Sequence, residues 1–292
     1  MDKKTVKLVQ LTHCRGIGRR LIHRLLRSDP ELRQLDHLSR NELIEEFGFS
    51  KRNAEYYLED YSSLDGERLV SDYSQKGIQI IALHHKNYPR LLREIYDPPF
   101  LLYACGNTDL LQSERSLAVV GSRHPEAEAW PVMEKLLMPL IESGWTLVSG
   151  MANGVDGMVH KLSLEHRTIA VLGSGLFHPY PSQNRNLFQQ LCRYQLVLSE
   201  YPPDARPERW RFPERNRIIS GLSLGTLVIE ARERSGSLIT ADQAIEQGRE
   251  VFAVPGSVLN PNSSGTHGLI QQGAKLVMKS SDITDELQLA AK

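Results

Sequence analysis

The sequence predicts an α/β protein. An extended Rossmann-like domain with a mostly parallel sheet of about nine strands follows a small all-helical domain. Three observations predict this. From Leu117 onward, strand-like runs alternate with segments of helix length, the rhythm of a parallel sheet covered by helices. Glycine-bearing loops adjoin those runs at Gly121-Ser122-Arg123, from Ser149 to Gly154, and at Ser235-Gly236-Ser237. Before Gly77 the apolar residues recur at helical spacing. The expected division is residues 1–75 and 76–292.

In the first part, Val6, Leu8, Val9 and Leu11 form one helical pattern, and Leu21, Ile22, Leu25 and Leu26 form the next. Gly16-Ile17-Gly18 between them resembles a helix-hairpin-helix turn, in which glycines let the backbone approach a phosphate. Residues 1–28 carry Lys3, Lys4, Lys7, Arg15, Arg19, Arg20, Arg24 and Arg27 against Asp2 alone. That excess suits contact with a DNA backbone, and equally an ordinary helical bundle with a solvated basic face. Ser39 and Glu42 have the spacing of a capping box for a helix through Phe47. Gly48 stops that helix, and Ser50 opens the next.

Strands are expected at 78–83, 100–104, 117–121, 145–149, 168–172, 196–199, 225–229, 250–254 and 275–278, then a short helix at 282–287. Pro213–Glu230 organises the set: a loop holding Arg215-Asn216-Arg217, one or two helical turns, then a buried β-branched strand. In a parallel sheet the glycine loops converge with this stretch on one edge. There, backbone N–H groups and guanidiniums face an anionic ligand.

Composition narrows the function. Basic and acidic residues balance at 35 each, so any polyanion site is local. No apolar run reaches the ~18 residues of a membrane span, and Met1-Asp2-Lys3-Lys4 leads into an amphipathic pattern. A soluble cytoplasmic protein is expected. Cys14, Cys105 and Cys192 lack metal-ligand spacing and read as small buried hydrophobes. His84 and His85 adjoin a strand, where neighbours point to opposite faces; no metal or cofactor is expected. There is no Walker-type phosphate loop, Gly173-Ser174-Gly175 is an incomplete dinucleotide fingerprint, and no nucleophile elbow stands out. Asp156 reads as a charge or cap at a helix start. Arg206, Arg209, Arg211, Arg215 and Arg217 interleave with Trp210 and Phe212. Such a mixture suits single-stranded nucleic acid, with guanidiniums on phosphates and rings on bases; the rings could instead anchor a proline-rich loop to the core.

Several motifs in order resemble the DprA/Smf family of DNA-processing proteins. They are Val120-Gly121-Ser122-Arg123, the run from Ser149 to Asp156 with His160, Tyr180-Pro181 with Asn184, Ser199-Glu200, the runs from Phe212 to Ser223, from Ser235 to Ala241 and from Gly248 to Gly256, then Gly265, Leu269-Ile270 and Gly273-Ala274. The resemblance covers about residues 78–285, and the N-terminal part is similar to the family's sterile-alpha-motif-like (SAM-like) helical domain. It implies a non-catalytic protein that binds single-stranded DNA, protects incoming DNA, forms a homodimer, and loads the RecA recombinase during natural transformation and homologous recombination. Carried onto this chain, the DNA site comprises Gly121, Ser122, Arg123, Ser149, Gly150, Phe212, Arg215, Asn216 and Arg217. Some relatives place a lysine in the tyrosine-proline loop, where this chain has Ser182-Gln183; Arg185 stands nearby as the substitute charge. Many relatives add a C-terminal winged-helix domain, which a chain stopping at Lys292 is expected to lack.

The run 275–278, as the last strand, is expected at a sheet edge that invites another chain. A homodimer interface is expected at His267, Ile270 and Leu276. The alternative function is a nucleotide-processing enzyme of the lysine-decarboxylase-like phosphoribohydrolase type, with Glu230 assisting glycosidic cleavage. Against it, Ser223-Leu224 stand where that group has paired glycines.

Overall fold

A computed structural model describes residues 1–290; residues 291 and 292, the end of the expected second domain, lie outside the described residues. The chain divides into two compact units, Met1–Ala82 and Leu83–Lys292. The change of pattern near Gly77 precedes this division by one strand.

The first unit contains α1 (Lys3–His13), α2 (Arg19–Ser28), α3 (Arg40–Glu45), α4 (Lys51–Ser63), α5 (Gly66–Gln75) and β1 (Ile78–Ala82). Its starts are set by side chains. Ser39 and Glu42 form the expected capping box, and Ser50 accepts from the Asn53 amide. Leu8, Leu11, Ile22, Leu25, Leu43 and Tyr57 form its interior, where the Tyr57 hydroxyl donates to the Leu35 carbonyl at 2.7 Å. Much of the N-terminal charge is engaged within this unit. Lys7 pairs with Asp36 at 2.8 Å, and Arg15 reaches Asp60 at 2.7 Å and Glu59 at 2.6 Å. Arg24 donates to the carbonyls of Phe47 and Gly48.

The second unit runs α6 (Arg90–Arg93), β2 (Leu101–Gly106), β3 (Ser116–Val120), α7 (Ala129–Glu142), β4 (Thr146–Ser149), α8 (Val155–Leu162), β5 (Thr168–Val171), α9 (Arg185–Tyr194), β6 (Leu196–Ser199), α10 (Arg211–Gly221), β7 (Gly225–Val228), α11 (Gly236–Glu246), β8 (Glu250–Ala253), α12 (Ser264–Gln271), β9 (Lys275–Leu276) and α13 (Ser281–Ala290). Every expected strand is present to within two residues. The eight strands of this unit lie in the order β2-β6-β5-β4-β3-β7-β8-β9. From β6 to β9 all pairings are parallel, and β2 joins β6 antiparallel. Leu117, Val119, Leu147, Leu227 and Phe252 carry one face of the sheet into a core closed by Met133, Leu137, Val159, Val277 and Ile283. Each such aliphatic side chain stabilises the fold by about 1.5–3 kcal/mol through burial.

The strand order reverses at β3. The chain moves outward through β4, β5 and β6, then returns to place β7 on the other side of β3. Open α/β sheets bind ligands outside the carboxyl ends of strands at such a point.

Three expectations are corrected. Arg215-Asn216-Arg217 is not in a loop: α10 spans 11 residues and holds all three. Pro213 sits in its first turn, where a missing N–H costs nothing. His84 and His85 lie in the turn after β1, and their rings meet edge to face at 4.7 Å. Of the cysteines, Cys14 alone is buried; Cys105 and Cys192 are half-exposed.

Candidate nucleic-acid interface

The carboxyl ends of β3, β4 and β5 make one continuous edge. After β3, Ser122 shapes the loop by accepting from the His124 amide at 3.1 Å, and its carbonyl accepts from the Val155 amide at 3.1 Å. Gly154, at φ 76°, interlocks with it: a Cβ there would stand 2.3 Å from the Ser122 carbonyl oxygen and 2.7 Å from that of Arg123. Only glycine fits this position. Asn184, just before α9, donates to the carbonyls of Met151 at 2.9 Å and Ala152 at 3.3 Å. Tyr180 precedes it, and its ring lies 5.4 Å from that of Phe212 at the start of α10. The contacts run from Arg123 through 151–154 to Asn184, the chain neighbour of Arg185, and Tyr180 on the preceding loop meets Phe212.

Beneath this edge lies a charged layer. Arg215 is 4% exposed. Its guanidinium donates to the carbonyl of Gly150 at 2.7 Å and to that of Val171, bridging the ends of β4 and β5. A Cβ on Gly150 would stand 2.6 Å from two guanidinium nitrogens, so glycine opens the passage the arginine occupies. Burial draws the Arg215 pKa down to about 10, opposed by the nearby Asp156 carboxylate. Burial likewise pushes the Asp156 carboxyl up, offset by Arg215 and by hydrogen bonds from the amides of Ala152 and Gly150. Asp156 therefore turns those amides inward, and Met151 between them stands at φ 59°, a conformation that costs a non-glycine residue about 1–2 kcal/mol.

The expected site residues thus separate into two groups. Arg123 and Arg185 are exposed, Gly121, Ser122 and Phe212 half-buried; these line the edge. Among the described residues no carboxylate pairs with Arg123 or Arg185. Ser149, Gly150, Arg215, Asn216 and Arg217 face inward or brace the helix. The Ser149 hydroxyl donates to the Val119 carbonyl at 2.7 Å. Asn216 accepts from Arg215 and donates to the Gly236 carbonyl at 3.3 Å. Arg217 is paired with Glu200. The sequence reasoning missed Tyr180 as a site residue. It is 50% exposed, and its ring meets that of Phe212, tilted by 51°, only after folding; its signal was an aromatic directly before Pro181. Trp210 is exposed, its indole N–H donates to Glu208, and Arg211 lies over its ring.

The dimer candidates lie elsewhere. Leu276 is 36% exposed on β9, the edge strand, as expected; Ile270 is half-buried, and His267 contacts the Gly256 carbonyl at 3.1 Å. A cleft of about 620 Å³ opens at the ends of β7 and β8, lined by Glu126, Glu128 and Glu230. Three carboxylates repel a phosphate chain, so this is not the cationic edge. Burial and the charges of Glu126 and Glu128 raise the Glu230 carboxyl above the usual range.

Fold and edge define a Rossmann-like α/β protein with cations and aromatic rings presented at its strand ends. The chain belongs to the DNA recombination-mediator protein A family, whose sequence model matches residues 79–288. It is 47% identical over 222 residues to DNA processing protein DprA of Bacillus subtilis, covering 75% of each chain. It is 43% identical over 239 residues to the Streptococcus pneumoniae protein of that name, covering 81% of this chain and 83% of the relative. The solved structure of DNA processing protein A from Streptococcus pneumoniae superposes with a TM-score of 0.86 at 38% identity, covering 98% of this chain and 99% of that one. That of Helicobacter pylori DNA processing protein A, a study of its single-stranded DNA binding mode, gives 0.66 at 28% identity over 73% and 96%. Among the described residues no helix is long and apolar enough to cross a membrane.

Proposed function

We propose that this protein binds single-stranded DNA without catalysis along the edge formed by Gly121, Ser122, Arg123, Tyr180, Arg185 and Phe212. The observation that carries the reading is the pairing, on the loops of one sheet edge, of two exposed guanidiniums free of carboxylate partners with the Tyr180–Phe212 ring pair. Guanidiniums neutralise phosphates regardless of sequence. Rings take the faces of unpaired bases, which a duplex keeps stacked on one another. Arg215 and Arg217 act from below, by fixing the strand ends and α10. The single-stranded DNA binding named for the Helicobacter pylori relative supports the same reading.

In this reading the protein works in the cytoplasm, protects incoming DNA, and hands it to the RecA recombinase in natural transformation and recombination. It does so as a homodimer through His267, Ile270 and Leu276, and residues 1–75 form a separate helical SAM-like domain. Exposed Leu276 and Met278 at the sheet edge support the pairing of two copies. The deciding experiment is a mobility shift with a homopolymeric single strand and a duplex of equal length. The single strand should bind more tightly, and equal or stronger duplex binding overturns the proposal.

One observation favours a second reading, the raised Glu230 carboxyl in its cleft, which suits a general acid. Hydrolysis of a nucleoside monophosphate abolished by Glu230→Gln would establish it. No turnover above buffer is the expected result.

A further inference from the structure

Cys105 and Cys192, far apart in sequence, meet where α9 packs against β2. Cys105 is the penultimate residue of β2, paired with Val197 of β6. Cys192 lies in the last turn of α9. The approach depends on the next residue, Gly106, at φ 110°. A Cβ there would stand 2.1 Å from the Gln195 carbonyl oxygen and 3.1 Å from that of Cys192. The Asn107 amide donates to the same Gln195 oxygen at 2.7 Å. The end of the helix is therefore seated on the end of the strand, and the two thiols come within hydrogen-bonding reach. Both are half-exposed and unbridged, whereas Cys14 is buried.

We infer that Cys105 and Cys192 form a modification site, a dithiol that a hydroperoxide converts to a disulfide joining β2 to α9. The hydrogen bond from Cys192 lowers the Cys105 thiol below its usual range, against the opposing effect of burial. Cys105 is thus the more acidic thiol of the two and is the attacking group. The hydrogen bond with Cys105, and then burial, push the Cys192 thiol up, so it is the resolving partner. In the first step the Cys105 thiolate attacks the peroxide; an S–O bond forms and the O–O bond breaks. The departing oxygen takes a proton and leaves as water or alcohol, and Cys105 becomes a sulfenic acid. The Cys192 sulfur then attacks the Cys105 sulfur. The S–S bond forms, the S–O bond breaks, and the hydroxide leaves as water with the Cys192 proton. Two thiols give two electrons to one peroxide. The helix fastened in this way is the one whose first residue, Arg185, faces the cationic edge.

The test treats the reduced full chain with hydrogen peroxide, counts alkylatable thiols after denaturation, and maps the peptides. Two of the three thiols should disappear, with Cys105 linked to Cys192 and Cys14 alkylated. In Cys192→Ser, oxidation should stop at Cys105 as a sulfenic acid trapped by a 1,3-diketone. Retention of all three thiols, a different linkage, or no trapped adduct in Cys192→Ser overturns the inference.

Discussion

Arg217 and Glu200 form a two-pronged ion pair inside the second unit. Nη1 lies 2.8 Å from Oε1 and Nη2 2.7 Å from Oε2, with the side chains 8% and 6% exposed. Burial works against the charge on Arg217, but Glu200 overrides it and the guanidinium is raised. Removing one partner of such a pair takes from a buried charge its two-pronged counter-ion. Arg217→Ala should therefore lower unfolding stability by about 3–5 kcal/mol, measured by urea denaturation. A loss below about 1 kcal/mol, the scale of an exposed pair, would show that the pair is not a structural anchor.

Arg123→Ala and Arg185→Ala should behave differently. Each side chain is exposed, so the thermal midpoint should stay unchanged. Affinity for single strands should fall for every sequence alike, and the log–log salt slope should become shallower by about 0.7 per lost phosphate contact. Titrations at several salt concentrations measure this; unchanged slopes in both variants remove the proposed edge.

Tyr180 stands half exposed beside Phe212. Tyr180→Ala should weaken single-strand binding by about 1–3 kcal/mol, the value of one stacked base, while Tyr180→Phe should retain it. Equal losses in the two variants would assign the effect to the hydroxyl rather than the ring.

His160 is fully buried, with Nδ1 2.8 Å from the Thr168 hydroxyl. Burial first, then the charge of Arg215, pushes its pKa down from 6.5 to about 3. The unfolded chain thus binds a proton below about 6.5 that the folded chain refuses. Stability from this group is complete above that pH and lost as pH falls toward 3, at up to about 1.4 kcal/mol per pH unit. Wild-type protein should lose roughly 1–2 kcal/mol more stability between pH 7 and pH 5 than His160→Gln. Equal losses in denaturant titrations at the two pH values would refute it.

Leu276→Arg places a charge on the edge strand β9. Sedimentation at micromolar concentration should give a folded monomer for the variant and a dimer for the wild type, since two copies meeting there would bury like charges. A variant dimer with an unchanged circular dichroism spectrum excludes this surface.

Local signals wrote most of the architecture. Runs such as Leu117–Val120 and Thr226–Val228 are apolar and β-branched, which suits strands buried on both faces. Ser39 with Glu42, and Ser50, announce helix starts through bonds to residues three positions away. α10 was misjudged because Pro213, Asn216 and Ser220 are weak helix formers taken alone. Bonds from Gln243 to the Pro213 carbonyl and from Gln247 to the Arg217 carbonyl brace it from α11, which no window around residue 215 contains.

By itself the sequence determined the strand–helix alternation, the glycine loops at the strand ends, and the membership those motifs imply. Only the tertiary structure decided which arginines face solvent. Arg123 and Arg215 are chemically the same residue, yet one is exposed and the other lies under Gly150 and Val171. Their difference comes from partners remote in the chain, as does the meeting of Cys105 with Cys192. Secondary structure follows from bonds and periodicities within a few residues. The availability of a charge or a thiol depends on what the folded chain packs against it, and burial is a property of the whole fold.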